Sequence, residues 1–277
     1  MRWAFTILAA GWLLLVHMLL LAANDPVAHH FRYAPSGWPA SARPQRLVLL
    51  TDIHVSGPDM PPERLMRIVG QINAQKPDII LLGGDFLSAR KLATRRYDAE
   101  TALRPLASLR APSGVIAVMG NHDHWSDVTA IRTALLRAGV TVLDNQAVRR
   151  GNLAIGGVDD DFTGHADVRA VAESMAKLGG VPILLSHSPD IFPVTPSSIG
   201  LVLAGHTHCG QISFPFVGPA FTASHYGRRF ICGIIREKAQ TMIVSAGVGT
   251  SLLPLRLGAV PDFWVIDIGP MNRGHRR

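Results

Sequence analysis

Five apolar runs recur along the chain: Arg46–Leu50, Ile79–Leu82, Val115–Val118, Val181–Leu185 and Leu201–Ala204. Each is followed within two residues by glycine or a polar residue. Short apolar runs bounded by turn signals predict buried strands. Helical patterns fall between them. Pro62 to Gln75 carries Leu65, Ile68, Val69 and Ile72 on one helical face, with proline in the first turn. Thr94 to Leu109 is predicted helical but kinked or split at Pro105. Ser126 to Ala138 is predicted as a helix with Ser126 as N-cap and Gly139 just past its end. His165 to Leu178 is another. Further strands are predicted at Val140–Leu143, Leu153–Val158, Thr241–Ala246 and Phe263–Ile268. Strand and helix alternate, which predicts an α/β body with a mostly parallel sheet. The late strands lack intervening helices, so a second, more antiparallel sheet is expected to pack on the first.

Trp3 to Ala23 runs without Asp, Glu, Lys or Arg, and roughly 20 apolar residues cross a bilayer core as a helix. A cleavable signal is the rival reading. The charged region before the apolar stretch is thin, with Arg2 and the amino terminus only, and leucine stands where the Ala22-Ala23 cleavage site needs a small residue. A retained single-pass anchor in the inner (cytoplasmic) membrane is therefore expected for residues 1–23. Arg32 and Arg43 balance Arg2, which leaves the side of the membrane open. Residues 24–45 form a connector with Pro26, Pro35, Pro39 and Pro44, read as an extended tether or a surface strap. The body is placed at 46–270 and a basic tail at 271–277.

Composition adds modest constraints. The chain has 277 residues, 48% hydrophobic, with a formal charge of +7. Such a surface attracts polyanions: nucleic acid, anionic lipid or phosphorylated substrates. The basic residues are scattered, and the densest cluster is the tail Arg273, His275, Arg276, Arg277, read as a solvated end or as a contact with anionic lipid. Only Cys209 and Cys232 are present. Two cysteines make no disulfide framework, so free thiols are expected, with a bridge only in an oxidising compartment. The absence of a CxxC pair speaks against cysteine-ligated zinc.

The chemistry lies at the strand ends. The five runs lead into Thr51-Asp52-Ile53-His54, Gly83-Gly84-Asp85, Gly120-Asn121-His122-Asp123, Ser186-His187 and Gly205-His206-Thr207-His208. Function in open α/β sheets collects beyond the carboxyl ends of the strands. Each block alone is common: a lone His187 reads as a hydrogen-bonded histidine, and Gly-Asp as an ordinary turn. Their joint occurrence, each after an apolar run, points to one site. Imidazole and carboxylate without thiolate suit Zn, Fe or Mn. Residues i and i+2 of an extended segment share a face, which would aim Asp52 with His54 and His206 with His208 at one ion.

This set resembles the calcineurin-like metallophosphoesterase superfamily, whose pattern is D-x-H, G-D, G-N-H-[DE], H and G-H-x-H. The segments Leu203–Ile212 and Ser245–Ser251 resemble its membrane-associated bacterial (YkuE/YaeI-like) branch, apart from Cys209, where glycine is expected. The resemblance covers nearly the whole body. It implies a four-layer α/β/β/α sandwich, the metallo-dependent phosphatase fold. It also implies two divalent ions, Mn2+ foremost, with Fe or Zn as alternatives. Asp52, His54 and His208 would hold one ion, Asn121, His187 and His206 the other, and Asp85 would bridge them. His122 would act as general acid or charge stabiliser, oriented by Asp123. Hydrolysis of a phosphate ester or pyrophosphate by hydroxide held between the ions follows from that assignment. His206 and His208 would need acceptors behind their second ring nitrogens.

Several residues outside the motifs get plainer readings. His124 is assigned to local hydrogen bonding, and Trp125 to a substrate cleft or the core. Asp159, Asp160 and Asp161 read as a solvated loop, and His165 and His225 as ordinary histidines. Surface solvation is expected for Arg228, Arg229 and Arg256, and core packing for Phe214, Phe216 and Phe221, with phosphate and acyl-chain contacts as the functional alternatives. The anchor favours a substrate presented at the bilayer: by resemblance, UDP-2,3-diacylglucosamine of lipid A synthesis, or a lipid or cell-wall phosphodiester. Nucleic acid is not the expected partner, and the protein is expected to be a monomer. A nuclease-type phosphodiesterase and a non-catalytic metal-binding scaffold are the rival readings.

Overall fold

The computed structural model describes residues 2–270, and the basic tail 271–277 lies outside the described residues. The chain opens with helix α1 (Arg2–Ala23), which is exposed along most of its length and buries only Met18 and Ala22 against the body. Strand β1 (Val27–Tyr33) follows, so the first part of the proline-bearing connector is a strand. It pairs parallel with the last strand from Val27↔Asp262 to Tyr33↔Ile268. Its residues, VAHHFRY, lack an apolar run, which is why pattern alone left it an extended path.

The first half of the body continues with β2 (Gln45–Leu50), α2 (Pro62–Ala74), β3 (Ile79–Leu82), α3 (Ala99–Leu103), β4 (Val115–Ala117), α4 (Asn121–His124), α5 (Val128–Arg137) and β5 (Val140–Val142). The second half holds β6 (Gln146–Arg150), β7 (Leu153–Gly157), α6 (Val168–Leu178), β8 (Val181–Leu185), β9 (Leu201–Ala204), β10 (Ser213–Phe214), β11 (Gly218–Pro219), β12 (Gly233–Glu237), β13 (Gln240–Val244) and β14 (Asp262–Ile268). One six-stranded sheet runs β1-β14-β2-β3-β4-β5 and the other β12-β13-β9-β8-β7-β6, with β10-β11 a separate hairpin. Only β14-β2 is antiparallel in the first sheet. In the second, β12-β13 and β6-β7 are antiparallel around a parallel centre.

The central strands β2, β3, β4, β8 and β9 bury both faces, which explains their unbroken apolar runs. Leu47, Leu49, Ile79, Leu81 and Ile116 of the first sheet meet Ile155, Ile183, Leu185, Leu201 and Leu203 of the second. The alternate residues Val48, Leu50, Ile80 and Leu82 face α2, α3 and α5 through Leu65, Ile68, Ala102 and Ile131. On the far side Leu184, Val202 and Met242 pack against Val171 and Met175 of α6. The result is the four-layer α/β/β/α sandwich.

Three helices begin later than the pattern predicts, α3 at Ala99 instead of Thr94 among them. Asp127, not Ser126, caps α5 by accepting the Ala130 N–H, and Asp167 caps α6 through Ala170. The segment before them, Thr94 to Leu109, is divided as expected near Pro105. There α3, capped by Asp98, gives way to a 3-10 turn over Arg104–Ser108.

Cys209 and Cys232 form a disulfide, correcting the expectation of free thiols. Twenty-three positions separate them in sequence, but the 210–231 excursion returns and brings their Cα atoms to 4.7 Å. Sequence separation alone hides that return.

Candidate metal centre

The loops after β2, β3, β4, β8 and β9 converge at one end of the two sheets. Asp52, His54, Asp85, Asn121, His187, His206 and His208 are all buried there. The extended geometry expected for Asp-x-His and His-x-His is not found. Asp52, His54, Asp85, His206 and His208 have φ values of 51°, 50°, 56°, 70° and 50°. These are left-handed conformations, uncommon outside glycine and concentrated at functional sites. The side chains of each pair still converge, but through kinked turns. Close approach also explains two glycines: a Cβ on Gly120 would run into the Asp85 carboxylate, and one on Gly205 into that of Asp52.

The donor atoms face one another. A single oxygen, Asp85 Oδ2, lies 3.3 Å from His54 Nε2 and 3.4 Å from His187 Nε2. On one side His208 Nε2 is 3.1 Å from His54 Nε2 and 3.5 Å from Asp52 Oδ1. On the other, His187 Nε2 is 3.0 Å from Asn121 Oδ1 and 3.1 Å from His206 Nδ1. Asp52-His54-His208 and Asp85-His187-His206 are thus two groups that could each hold an ion.

This donor set fits divalent cations on its own chemistry. Two ring nitrogens 3.1 Å apart can share only one proton, and buried polar groups without partners are costly. The nitrogens that face one another are His54 Nε2 with His208 Nε2 and His187 Nε2 with His206 Nδ1, an arrangement of lone pairs that a cation between them would satisfy. His187 shows the orienting bond expected of a ligand: its Nδ1 lies 2.7 Å from the Gly83 carbonyl, so it donates there and leaves Nε2 bare. The acceptors expected behind His206 and His208 are not found. His206 Nε2 is unpartnered, and His208 Nδ1 faces the Arg256 guanidinium, a donor, at 3.5 Å.

Protonation without metal follows burial and charge. Burial drives the pKa of His54 and His208 well below the usual histidine value, and that of His206 to about 3. Burial opposes the charge on His187 too, but the Asp85 carboxylate outweighs it and lifts His187 well above the usual value. Asp85 is raised by burial, yet His187 and His54 hold it well below the ordinary carboxylate range. Burial pushes Asp52 up to about 6.

His122 sits beside this cluster. Its ring stands edge-on to His54 with centroids 4.7 Å apart. Its Nδ1 accepts the Ala89 N–H at 3.3 Å, and its Nε2 meets the Ser251 hydroxyl at 3.1 Å. Asp123, expected to orient that ring, instead accepts the backbone N–H groups of Gly120, Asp85 and Phe86 at 2.8–2.9 Å. It holds the loops after β3 and β4 together. Burial and the nearby Asp85 charge raise its pKa to about 7.

A cleft of about 290 Å³ opens from the cluster. Asp85, Asn121, His122, His206 and His208 form its floor, and Trp125, Phe162, Ile212, Phe221, Leu252 and Leu253 line its walls. Trp125, 56% exposed, belongs to that wall and not to the core. Phe214, Phe216 and Phe221 are exposed, contrary to core packing, because the 210–231 excursion lies outside both sheets.

Other readings are corrected. Asp159 and Asp160 are buried, not solvated. Asp159 Oδ1 pairs with His124 Nε2 at 2.8 Å, and Asp160 Oδ2 accepts from the Thr163 N–H and hydroxyl. Arg256 is fully buried and donates to the carbonyls of Ala246, Gly247, Gly249 and Ala259, touching neither solvent nor the cleft. Sequence reasoning missed Ser251 as a site element. Ser251 lay within the recognised Ser245–Ser251 segment, but nothing there tied it to His122.

A four-layer sandwich with a buried His/Asp/Asn cluster at its strand ends defines a metal-dependent hydrolase class. The comparisons agree. Residues 45–210 match the family described as Calcineurin-like phosphoesterase, and the chain belongs to that family. It is 32% identical over 235 residues to the uncharacterized metallophosphoesterase YkuE of Bacillus subtilis, covering 82% of this chain and 80% of the relative. It is 30% identical to phosphodiesterase YaeI of Escherichia coli, covering 82% and 83%. It also matches a transmembrane protein with metallophosphoesterase domain of Danio rerio at 30% identity, over 89% of this chain but 58% of that protein. The protein is a metallophosphoesterase, a hydrolase of phosphoester bonds.

Proposed function

We propose that this enzyme is a membrane-attached, two-metal phosphodiesterase acting on a lipid-linked or envelope phosphoester. Asp52, His54 and His208 would hold one ion, Asn121, His187 and His206 the other, with Asp85 placed to serve both. The observation that carries this reading is the position of Asp85 Oδ2, within 3.4 Å of a histidine nitrogen from each group. A donor set of imidazole, carboxylate and amide oxygen, with no thiolate, suits Mn, Fe or Zn. When bound, two such ions supply an activated water and neutralise charge on the phosphoryl oxygens.

The chain's own residues do the rest. Asp52 Oδ1 and Oδ2 accept the His206 N–H at 3.0–3.1 Å and fix the turn that presents His206. The Ala89 N–H on Nδ1 keeps the proton of a neutral His122 on Nε2. That Nε2–H faces Ser251 and the cleft, where it can donate a hydrogen bond to the leaving oxygen and stabilise its developing charge. Trp125, Phe162, Phe221 and Leu252 form an apolar wall of the cleft that suits an apolar substituent.

Helix α1, 22 residues and apolar, supports attachment to the inner membrane. A disulfide persists in oxidising surroundings, which supports a body on the oxidising side and favours a lipid or cell-wall phosphodiester over UDP-2,3-diacylglucosamine. The name of the Escherichia coli relative supports diesterase chemistry. The test is a substrate panel: full-length, Mn-loaded protein assayed on bis-p-nitrophenyl phosphate, p-nitrophenyl phosphate, UDP-2,3-diacylglucosamine, phospholipid vesicles and single-stranded DNA. Diester and lipid turnover that stops on chelation is expected. Activity on none would leave a metal-binding scaffold, and preference for DNA a nuclease.

A further inference from the structure

The exposed apolar residues of the 210–231 excursion sit beside the point where α1 meets the body. Arg256 N–H donates to the Met18 carbonyl at 3.1 Å, and one residue later the Leu257 carbonyl accepts the Ser213 N–H at 2.7 Å. Ile212 bridges to Leu257 and Gly258, and Gln211 Nε2 donates to the carbonyls of Leu253 and Leu255. The base of the β10-β11 hairpin is therefore fastened to the same loop that holds the last turns of α1. The Arg64 guanidinium, donating to the Asn24 carbonyl, fixes the chain just after the helix.

Helix length then constrains the membrane. Met18 and Ala22 are buried against the body, so residues 2–17 are the part free to enter lipid. At about 1.5 Å per residue they reach roughly 24 Å, less than the ~30 Å hydrocarbon core. A spanning α1 must bring the bilayer surface up to the body at Met18. Whatever surrounds that point meets lipid.

What surrounds it is suited to that contact. Phe214, Phe216 and Val217 at the hairpin tip are exposed, and so are Leu252 and Phe221 on the rim of the cleft. Behind the tip, exposed Arg228 donates to the Val217 carbonyl at 2.7 Å, and Tyr226 is 40% exposed. Aromatic and aliphatic residues at a tip, with arginine and tyrosine behind, match the layering of a lipid interface. The Cys209–Cys232 bridge closes the excursion at its base, next to His208.

We propose that the β10-β11 hairpin is a second membrane contact: Phe214, Phe216 and Val217 enter the headgroup–acyl boundary beside α1, and the cleft mouth opens at the bilayer surface. This rests on the membrane attachment proposed above. Exposed Phe216 can be replaced without disturbing a packed element, and the native cysteines are tied to each other, so a single new thiol labels selectively.

Full-length F216C, carrying an environment-sensitive fluorophore, is reconstituted in vesicles of phosphatidylethanolamine and phosphatidylglycerol with or without doxyl-labelled lipid. L8C in α1 and K177C, at the end of α6 away from the strand-end cluster, are labelled alongside. The expected result is a blue shift and at least twofold lipid-dependent quenching at 216 and at 8, with neither at 177. Quenching at 8 but not at 216 overturns the hairpin contact and leaves α1 as the anchor. Quenching at neither 8 nor 216 overturns both the contact and the attachment. Equal quenching at 177 also overturns the proposal, since the body would be adsorbing without orientation.

Discussion

The Ser251 hydroxyl lies 3.1 Å from Nε2 of His122, although 129 positions separate the two residues. It approaches from the loop after β13, whereas His122 belongs to the turn after β4. The nitrogen that would serve the leaving group is thus already paired in the resting site.

Loss of that partner should be mild and loss of the ring severe. His122→Ala is expected to lower kcat by roughly 10²–10⁴-fold with metal content unchanged. Ser251→Ala removes one hydrogen bond of about 1 kcal/mol and should lower kcat about fivefold. If Ser251 acts by positioning His122, the double variant is no slower than His122→Ala alone. Additive losses, measured as kcat with metal content checked for each variant, would assign Ser251 a separate role.

Arg256 is a stability element of the site. Its buried guanidinium satisfies the carbonyls of Ala246, Gly247, Gly249 and Ala259. Burial lowers its pKa to about 10, which leaves it charged at neutral pH. Arg256→Leu strands several buried acceptors at about 1–3 kcal/mol each, so a loss of at least about 3 kcal/mol is expected in urea unfolding. Arg256→Lys should recover only part of it, because an ammonium lacks the planar fork. A variant as stable as the parent would contradict the assignment.

The strand-end motifs were legible because strands buried on both faces give unbroken apolar runs, and each run stops where its polar turn begins. Five such turns gathered the polar residues of the site, and the family resemblance singled out seven of them as candidate ligands. The excursion between Cys209 and Cys232 was not legible in the same way. Phe214, Phe216 and Phe221 look like core residues by composition, and only the sheet topology leaves them outside. Strand β1 escaped notice because its residues are mixed polar and apolar, while its partner β14 lies more than 200 positions away. Arg256 and Asp160 looked solvated because charged residues usually are. Their burial depends on backbone partners that no local pattern displays.

The disulfide should matter for stability more than for chemistry. Closing a loop of this length contributes about 3 kcal/mol in the chain-entropy account. Cys209→Ser with Cys232→Ser is expected to lower the unfolding free energy by about that amount and to retain metal. Thiol titration of the unreduced, denatured parent should find no free thiol. Two titratable thiols in protein isolated from its native compartment would remove the argument for an oxidising environment.

A count of ions per chain tests the shared site most directly. In Mn-loaded, desalted full-length protein, the metal-to-chain ratio should be two, and Asp85→Ala should bring it below one, since a single carboxylate serves both groups. A ratio of two that survives in Asp85→Ala would contradict a shared site.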